Sequence, residues 1–96
     1  MTSNNFLDTL ETTIGDRLKN PSTGSYTASL ASMGVKRIAQ KVGEEAVELA
    51  LASVDGDREE VLNEAADLVY HLLVLLNVQE LQLADVTKTL ESRYTG

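Results

Sequence analysis

The chain has 96 residues, of which 43% are hydrophobic, with one proline and six glycines; this composition is typical of one globular domain built from long helices rather than a turn-rich β fold. Its formal net charge of −7 argues against nucleic-acid binding, which requires a basic surface. The absence of cysteine excludes disulfides and thiolate metal sites.

No targeting or membrane segment is predicted. Residues 1–10 lack the basic stretch and the apolar stretch of a signal peptide. The longest apolar run, residues 72–76, is far shorter than the roughly 20 residues that a membrane span needs. We therefore expect a cytoplasmic protein that binds neither membranes nor nucleic acid.

The first third of the chain predicts two helices. Apolar residues at three- and four-residue spacings indicate a helix over residues 5–18, which ends before Pro21. Residues 21–25 form a loop of small polar residues. Ser25 or Thr27 can then cap a short helix over residues 25–33.

Two long helices follow. The first is predicted over residues 34–53, and a tight turn is predicted over residues 54–57. Residues 58–79 predict the second, which is apolar almost all round and therefore buried. Because the turn is short, the two helices should be antiparallel neighbours. A final helix is indicated by an apolar stripe at Leu83, Val86, Leu90 and Tyr94.

These elements predict a single domain over residues 1–96 with an all-α fold. The expected architecture is a bundle of four to five helices around two long antiparallel core helices. A chain this short buries a limited core, so association with a second copy would bury more apolar surface. No strand, repeat or linker is visible.

The first long helix has two stripes when side chains are placed at 100° per residue. One stripe is apolar, and its members are Val35, Ile38, Val42, Ala46, Leu49 and Ala50. The other is charged, and its members are Arg37, Lys41, Glu44, Glu45 and Glu48. Taken alone, the glutamates are explained by a solvated surface on which Lys41 pairs with Glu45.

A second acidic pair changes that interpretation. Glu64 and Asp67 lie among apolar residues of the second long helix, where carboxylates are rare unless they are paired or bind a cation. Glu48 lies about six residues before the turn and Glu64 about seven after it, so the two should sit near the same height. Facing helices therefore predict a metal site made by Glu44, Glu45, Glu48, Glu64 and Asp67. Oxygen ligands without cysteine favour Mg²⁺ or Mn²⁺.

Three further features have two explanations each. Lys36, Arg37 and Lys41 either balance the charge of the glutamates or contact substrate phosphates, for which arginine is well suited. His71 on the apolar helix is either a hydrogen-bonded core residue, which is the commoner case, or a metal ligand. Gly43 costs roughly 1 kcal/mol relative to alanine inside a helix, which indicates either close helix contact or close approach of a substrate or partner.

Three stretches of the chain together resemble one enzyme family. They are Ser-Tyr-Thr-Ala-Ser-Leu at residues 25–30 with Gly34, the basic and acidic run at residues 36–48, and residues 63–76. These stretches are similar to phosphoribosyl-ATP pyrophosphohydrolase, the second enzyme of histidine biosynthesis, and the likeness extends through the last helix. The acidic motif EExxE followed by ExxD is shared by the wider all-α, MazG-like nucleotide pyrophosphohydrolases, whereas the other stretches are more specific.

The resemblance implies a reaction, a cofactor and an assembly. The reaction is hydrolysis of the α–β phosphoanhydride of phosphoribosyl-ATP to phosphoribosyl-AMP and pyrophosphate; the cofactor is Mg²⁺, and the assembly is an intertwined helical dimer or higher oligomer. The five acids match the motif acids of the family, and the three basic residues match positions upstream. Within that set Glu45 and Glu48 are expected to be catalytic, with Glu45 favoured as general base. Gln82 stands where a capping serine is common in the family. This difference affects the start of a helix and not the chemistry. Nothing in the sequence suggests fusion to the next enzyme.

Two other functions fit the same residues. A house-cleaning nucleoside triphosphate pyrophosphohydrolase of the MazG type would hydrolyse ordinary or damaged dNTPs and leave phosphoribosyl-ATP intact. A helical dimerisation module with no activity would use the acids for solubility alone and would not bind Mg²⁺ together with a nucleotide analogue.

Overall fold

The computed structural model describes residues 5–20 and 25–95. These residues form five α-helices and no strand: α1 (Asn5–Lys19), α2 (Tyr26–Ser32), α3 (Val35–Asp55), α4 (Arg58–Val78) and α5 (Leu83–Tyr94). The predicted helices are all present, so the all-α fold is confirmed. The predicted loop over residues 21–25 lies outside the described residues except for Ser25, whose hydroxyl accepts the Ala28 N–H and caps α2.

A two-residue connection joins the long helices α3 and α4. Gly56 ends α3 with a φ of 80°, and its N–H donates to the carbonyl of Ala52 at 3.0 Å. Asp57 begins α4 by accepting the N–H of Glu60 at 3.2 Å, as an N-cap aspartate does. The connection is shorter than predicted because α3 continues to Asp55. It makes α3 and α4 antiparallel partners with the most extensive helix–helix contact in the fold.

The core lies at the end of the α3–α4 hairpin that is remote from this connection. Its fully buried side chains come from four helices and are Ile14, Leu30, Ile38, Leu73 and Val74. Ile38 is in the first turn of α3, and Leu73 and Val74 are in the last turns of α4. Helices α1 and α2 therefore pack over one half of the hairpin, and the half near Gly56 carries the acidic residues.

The predicted apolar stripe of α3 is buried only in part. Ile38 is fully buried, whereas Val35 is 45% exposed and Ala46 and Ala50 are also exposed. Both long helices carry further exposed apolar residues three, four or seven positions apart, namely Val47, Leu51 and Val54 on α3 and Leu62 and Val69 on α4. We call these five residues the apolar stripe of the hairpin. These residues remain exposed because α1 and α2 are too short to cover both long helices.

Helix α4 has the length and mean hydropathy, 1.4, of a membrane span. The central helix of many globular proteins meets the same two criteria, so they are weak grounds for a membrane helix. Glu64 and Asp67 lie within α4, and carboxylates are costly inside a bilayer. The absence of a membrane partner stays a prediction.

Replacing Gly56 by alanine should destabilise the fold by about 1 to 2 kcal/mol, because a Cβ is disfavoured in the left-handed conformation. Gly43→Ala is the matched control: a Cβ at Gly43 would meet no atom within 4 Å, so the change should stabilise α3 by about 1 kcal/mol. Urea unfolding measures both free energies. Equal effects of the two changes would contradict the assigned conformation of Gly56, and loss of stability at Gly43 would indicate a second molecule packed there.

Candidate metal centre

The hairpin brings three of the predicted carboxylates together. Glu45 and Glu48 reach across from α3 and Glu64 from α4, and one oxygen of each lies within 4.8 Å of the others. The antiparallel pairing of α3 and α4 produces this arrangement, because Glu48 and Glu64 lie at similar distances from the Gly56 connection. The predicted equal height of the two residues is confirmed.

Two oxygens of this group are buried without a hydrogen-bond partner. Among the described residues, Oε1 of Glu45 and Oε1 of Glu64 are the buried side-chain oxygens in that condition. Glu45 is 8% exposed, which is unusual for a glutamate inside a helical hairpin. A buried oxygen without a donor is destabilising unless another group satisfies it, so these two atoms point to a missing positive partner.

The three carboxylates fit a hard divalent cation. Mg²⁺ binds oxygen ligands at about 2.1 Å in octahedral geometry, so two oxygens on one ion are about 3 Å apart when adjacent and about 4.2 Å apart when opposite. The carboxylate oxygens, within 4.8 Å of one another, would move closer together by side-chain rotation to bind one ion. Carboxylates from facing helices are a common donor set for such ions. The group can therefore hold a divalent metal.

Glu64 has a strongly altered acidity. Burial is the main cause, followed by the neighbouring carboxylates of Glu45 and Glu48, and together they raise the pKa of Glu64 from 4.5 to about 7. Each cause disfavours the charged form. The metal-free site therefore retains a proton near neutral pH, and a bound cation would displace it.

The other two predicted ligands lie outside this group. Glu44 and Asp67 are both exposed. Glu44 Oε2 accepts a hydrogen bond from Gln40 Nε2 at 3.1 Å, and Gln40 Oε1 accepts one from Arg37 Nη1 at 3.0 Å. Glu44 is therefore hydrogen-bonded at the surface, whereas Glu45 and Glu48 approach Glu64. Metal ligation by the five predicted acids stays a prediction.

Of the three basic candidates, Lys41 is the one in contact with the acidic residues. Its Nζ lies 4.0 Å from Oε1 of Glu44 and 4.0 Å from Oε2 of Glu45, so the predicted pair with Glu45 is present at the limit of an ion pair. Arg37 and Lys36 are exposed on the first turn of α3. Their contact with substrate phosphates stays a prediction.

His71 is a hydrogen-bonded core residue, the commoner of the two explanations. It is 5% exposed; its Nε2 lies 2.9 Å from the hydroxyl of Tyr26 and its Nδ1 2.8 Å from the carbonyl oxygen of Asp67. The tyrosines around it were not assigned a role by sequence. Two features of the sequence could have indicated them. Tyr70 is adjacent to His71 in α4, and Tyr26 lies in the Ser-Tyr-Thr segment.

A second acidic region is organised differently. A groove of about 640 Å³ between α1 and the start of α5 is lined by acids that include Asp8, Asp16 and Asp85. Glu11 beside it accepts the backbone N–H of Leu83 at 2.7 Å, and Asp85 accepts the N–H of Gln82 at 2.9 Å. Glu11 and Asp85 thus bind the start of α5, where Gln82 and Asp85 form a capping box. Within the described chain, buried oxygens without partners occur between α3 and α4 instead.

Comparison with known proteins gives a consistent result. Residues 7–94 match the family described as phosphoribosyl-ATP pyrophosphohydrolase. Over 89 residues, 93% of this chain, the sequence is 53% identical to the histidine biosynthesis bifunctional protein HisIE of Photobacterium profundum. It is 54% identical over the same share to the proteins of that name from Shewanella oneidensis and Salmonella typhimurium.

The chain spans less than half the length of these relatives. The matched region makes up 43% of the Photobacterium protein, 42% of the Shewanella protein and 44% of the Salmonella protein. The likeness therefore concerns one part of each bifunctional protein.

The raised pKa of Glu64 predicts a pH dependence of stability in metal-free protein. Between about pH 4.5 and pH 7 the folded state binds more protons than the unfolded state. Protonated Glu64 therefore leaves the wild type most stable at low pH, and this stability is lost as pH rises and Glu64 ionises. In thermal unfolding with chelator, the melting temperature of Glu64→Gln should therefore increase relative to that of the wild type between about pH 5 and pH 8. Glu91→Gln, on an exposed position of α5, is the control. A Glu64→Gln difference that stays constant with pH would contradict the assignment.

Proposed function

This chain belongs to the phosphoribosyl-ATP pyrophosphohydrolase family, and we propose that it hydrolyses phosphoribosyl-ATP in histidine biosynthesis, at the carboxylates between α3 and α4. The bond cleaved would be the α–β phosphoanhydride, and the products would be phosphoribosyl-AMP and pyrophosphate. The observation that carries the location of the site is the pair of buried, unpartnered oxygens of Glu45 and Glu64. Such atoms are satisfied by a cation that also binds phosphate oxygens.

The proposed cofactor is Mg²⁺, with Mn²⁺ as an alternative. Support comes from the donor set, which contains carboxylate oxygens and no sulfur. When bound, the ion would neutralise phosphate charge and make a coordinated water acidic enough to attack phosphorus near neutral pH. The residues proposed to hold it are Glu48 and Glu64, with Glu44, Glu45 and Asp67 completing the set.

The protein's own groups have distinct proposed tasks. Glu45 is the proposed general base: it is the most buried acid of the group, and its carboxylate is exposed to little competing water. Glu48 keeps one side of the group open to solvent, since it is exposed, and gives the substrate a route of entry. Lys41, within 4.0 Å of Glu45, is placed to exchange its weak ion pair for a phosphate oxygen of the substrate. Arg37 and Lys36, one turn earlier, would stabilise the charge of the departing pyrophosphate.

The proposed assembly is a homodimer or a higher homo-oligomer. The apolar stripe of the hairpin supports it, because Val54 is 85% exposed and Leu62 68% exposed on helices that are otherwise the centre of the fold. A second copy that packs on the hairpin would cover these residues. The matched region is proposed to act as one cytoplasmic domain with a small nucleotide substrate and without nucleic acid or membrane partners.

The substrate is tested by measuring pyrophosphate release from phosphoribosyl-ATP and from a panel of NTPs and dNTPs, each with Mg²⁺. We expect turnover of phosphoribosyl-ATP and little of the others. Turnover of dNTPs without phosphoribosyl-ATP would transfer the assignment to a house-cleaning pyrophosphohydrolase. Failure to bind Mg²⁺ and a nucleotide analogue in calorimetry would indicate a module without activity.

Glu45→Gln and Glu48→Gln should each lower kcat by at least about 100-fold, because each removes charge that acts in the transition state. Both variants should keep the helical circular dichroism and the oligomeric state of the wild type. Glu91→Gln, which changes an exposed acid of α5, should retain full activity. Full activity in either site variant would refute the location of the site.

A charge in the apolar stripe should dissociate the dimer, because an unpaired carboxylate is costly to bury. Leu51→Glu is the informative variant, since Leu51 is 61% exposed in one chain. Sedimentation should give at least twice the mass of one chain for the wild type and for Thr87→Glu, an exposed control on α5, and a lower mass for Leu51→Glu. A monomeric wild type would contradict the proposed assembly.

A further inference from the structure

Tyr26 is a half-exposed aromatic residue held in place by contacts on two sides. Its side chain is 51% exposed, yet its hydroxyl lies 2.9 Å from Nε2 of His71. Its ring stacks on that of Tyr70, with centroids 6.0 Å apart and planes inclined by 28°. Tyr94, by comparison, is 78% exposed at the end of α5. Tyr26 thus offers an aromatic surface in a defined orientation.

The direction of the hydrogen bond follows from the groups around His71. Nδ1 of His71 lies 2.8 Å from the carbonyl oxygen of Asp67, and a carbonyl oxygen accepts only. In the neutral imidazole Nδ1 therefore carries the proton, so that Nε2 accepts and the hydroxyl of Tyr26 donates. Because the ring of His71 is buried and its tautomer is set by the helix, the position of the Tyr26 hydroxyl is also set.

Tyr70 is also held in place by contacts with its neighbours. Its hydroxyl makes a hydrogen bond with the hydroxyl of Thr27, a buried residue of α2, and its ring meets that of His71 edge-on at 5.2 Å. The pair of Thr27 and Tyr70 already joins α2 to α4 without Tyr26. Attachment of the two helices therefore does not explain why the ring of Tyr26 is held while half of it remains in solvent.

The helix that supports this ring also carries Glu64 of the proposed metal centre. Its two supports, Tyr70 and His71, lie on α4 six and seven residues beyond Glu64, which is about 10 Å along the helix axis. That distance is of the order of the separation between the α-phosphate and the base of a nucleotide. A supported aromatic ring with an open surface binds a planar base by stacking.

We propose that Tyr26 stacks on the adenine base of the substrate, and that His71 and Tyr70 are the positioning residues that hold its ring for this contact. The proposal rests on the proposed function and deepens it, because it names the part of the substrate that the α2–α4 junction recognises. His71 acts through Tyr26 and does not itself touch the base.

Kinetics separate the ring of Tyr26 from its hydroxyl. Tyr26→Leu removes the stacking surface and should raise KM for phosphoribosyl-ATP about 10- to 100-fold with a small effect on kcat. Tyr26→Phe keeps the ring and loses the hydrogen bond to His71, so it should raise KM less than Tyr26→Leu does. His71→Asn loses that hydrogen bond and also the edge-on contacts of its ring, so it should raise KM at least as much as Tyr26→Phe, and adding Tyr26→Phe to it should raise KM no further. Tyr94→Leu is the matched control and should leave KM unchanged. Unchanged KM in Tyr26→Leu, with or without dissociation of the dimer, would overturn the proposal.

A binding measurement makes the test independent of turnover. The chain contains three tyrosines, so protein labelled with 3-fluorotyrosine gives three fluorine NMR signals, and Tyr26→Phe identifies that of Tyr26. Titration with AMP and Mg²⁺ should shift the Tyr26 signal and leave that of Tyr94 in place, whereas ribose 5-phosphate and Mg²⁺, which lack the base, should not shift it. Equal shifts with both ligands, or no shift up to millimolar AMP, would refute base stacking.

The two proposals can fail separately. A base-dependent shift of Tyr26 without hydrolysis of phosphoribosyl-ATP would retain the adenine contact and reject the proposed reaction. Hydrolysis of phosphoribosyl-ATP with a normal KM in Tyr26→Leu would retain the reaction and reject the contact.

Discussion

The structure depends on one conflict: three carboxylates share a space between two helices in which two of their oxygens have no partner. Like charges at that spacing repel, and removal from water strengthens the repulsion. The hairpin holds both Glu45 and Glu64 in this position, which supports the proposal that a cation binds between them. The raised pKa of Glu64 follows from the same burial and the same neighbouring carboxylates.

Most of the fold could be predicted from the sequence because its elements are long and their signals are local. The spacing of apolar residues indicated the five helices, and the turn residues Gly56 and Asp57 indicated the antiparallel hairpin. The buried face of α3 was harder to predict. A stripe counted at 100° per residue puts Ala46 in the interior, whereas the structure buries Glu45, because the packing of α4 and not the hydropathy of α3 decides which side faces inward.

The candidate site was predictable in part for the same reason. Equal distances from a short connection predict that Glu48 and Glu64 approach each other, and they do. Glu44 and Asp67 differ because their side chains leave the helix on sides that no neighbour covers, and Gln40 provides Glu44 with a local partner. The link between Tyr26 and His71 joins residues 45 positions apart, and neither spacing nor composition contains information on a contact between two helices that are not adjacent in sequence.

The uneven position of the core has a consequence for motion. Ile38, Leu73 and Val74 anchor one end of the α3–α4 hairpin, whereas the end near Gly56 is held mainly by the two helices themselves. Local opening therefore requires less free energy at the Gly56 end than unfolding of the whole chain. Amide protons of the turns that carry Glu48 and Glu64 are therefore expected to exchange with solvent ahead of those around Leu73. A cation bound at the proposed site would hold that end closed, so that ligand binding would also complete the cooperative unit of folding.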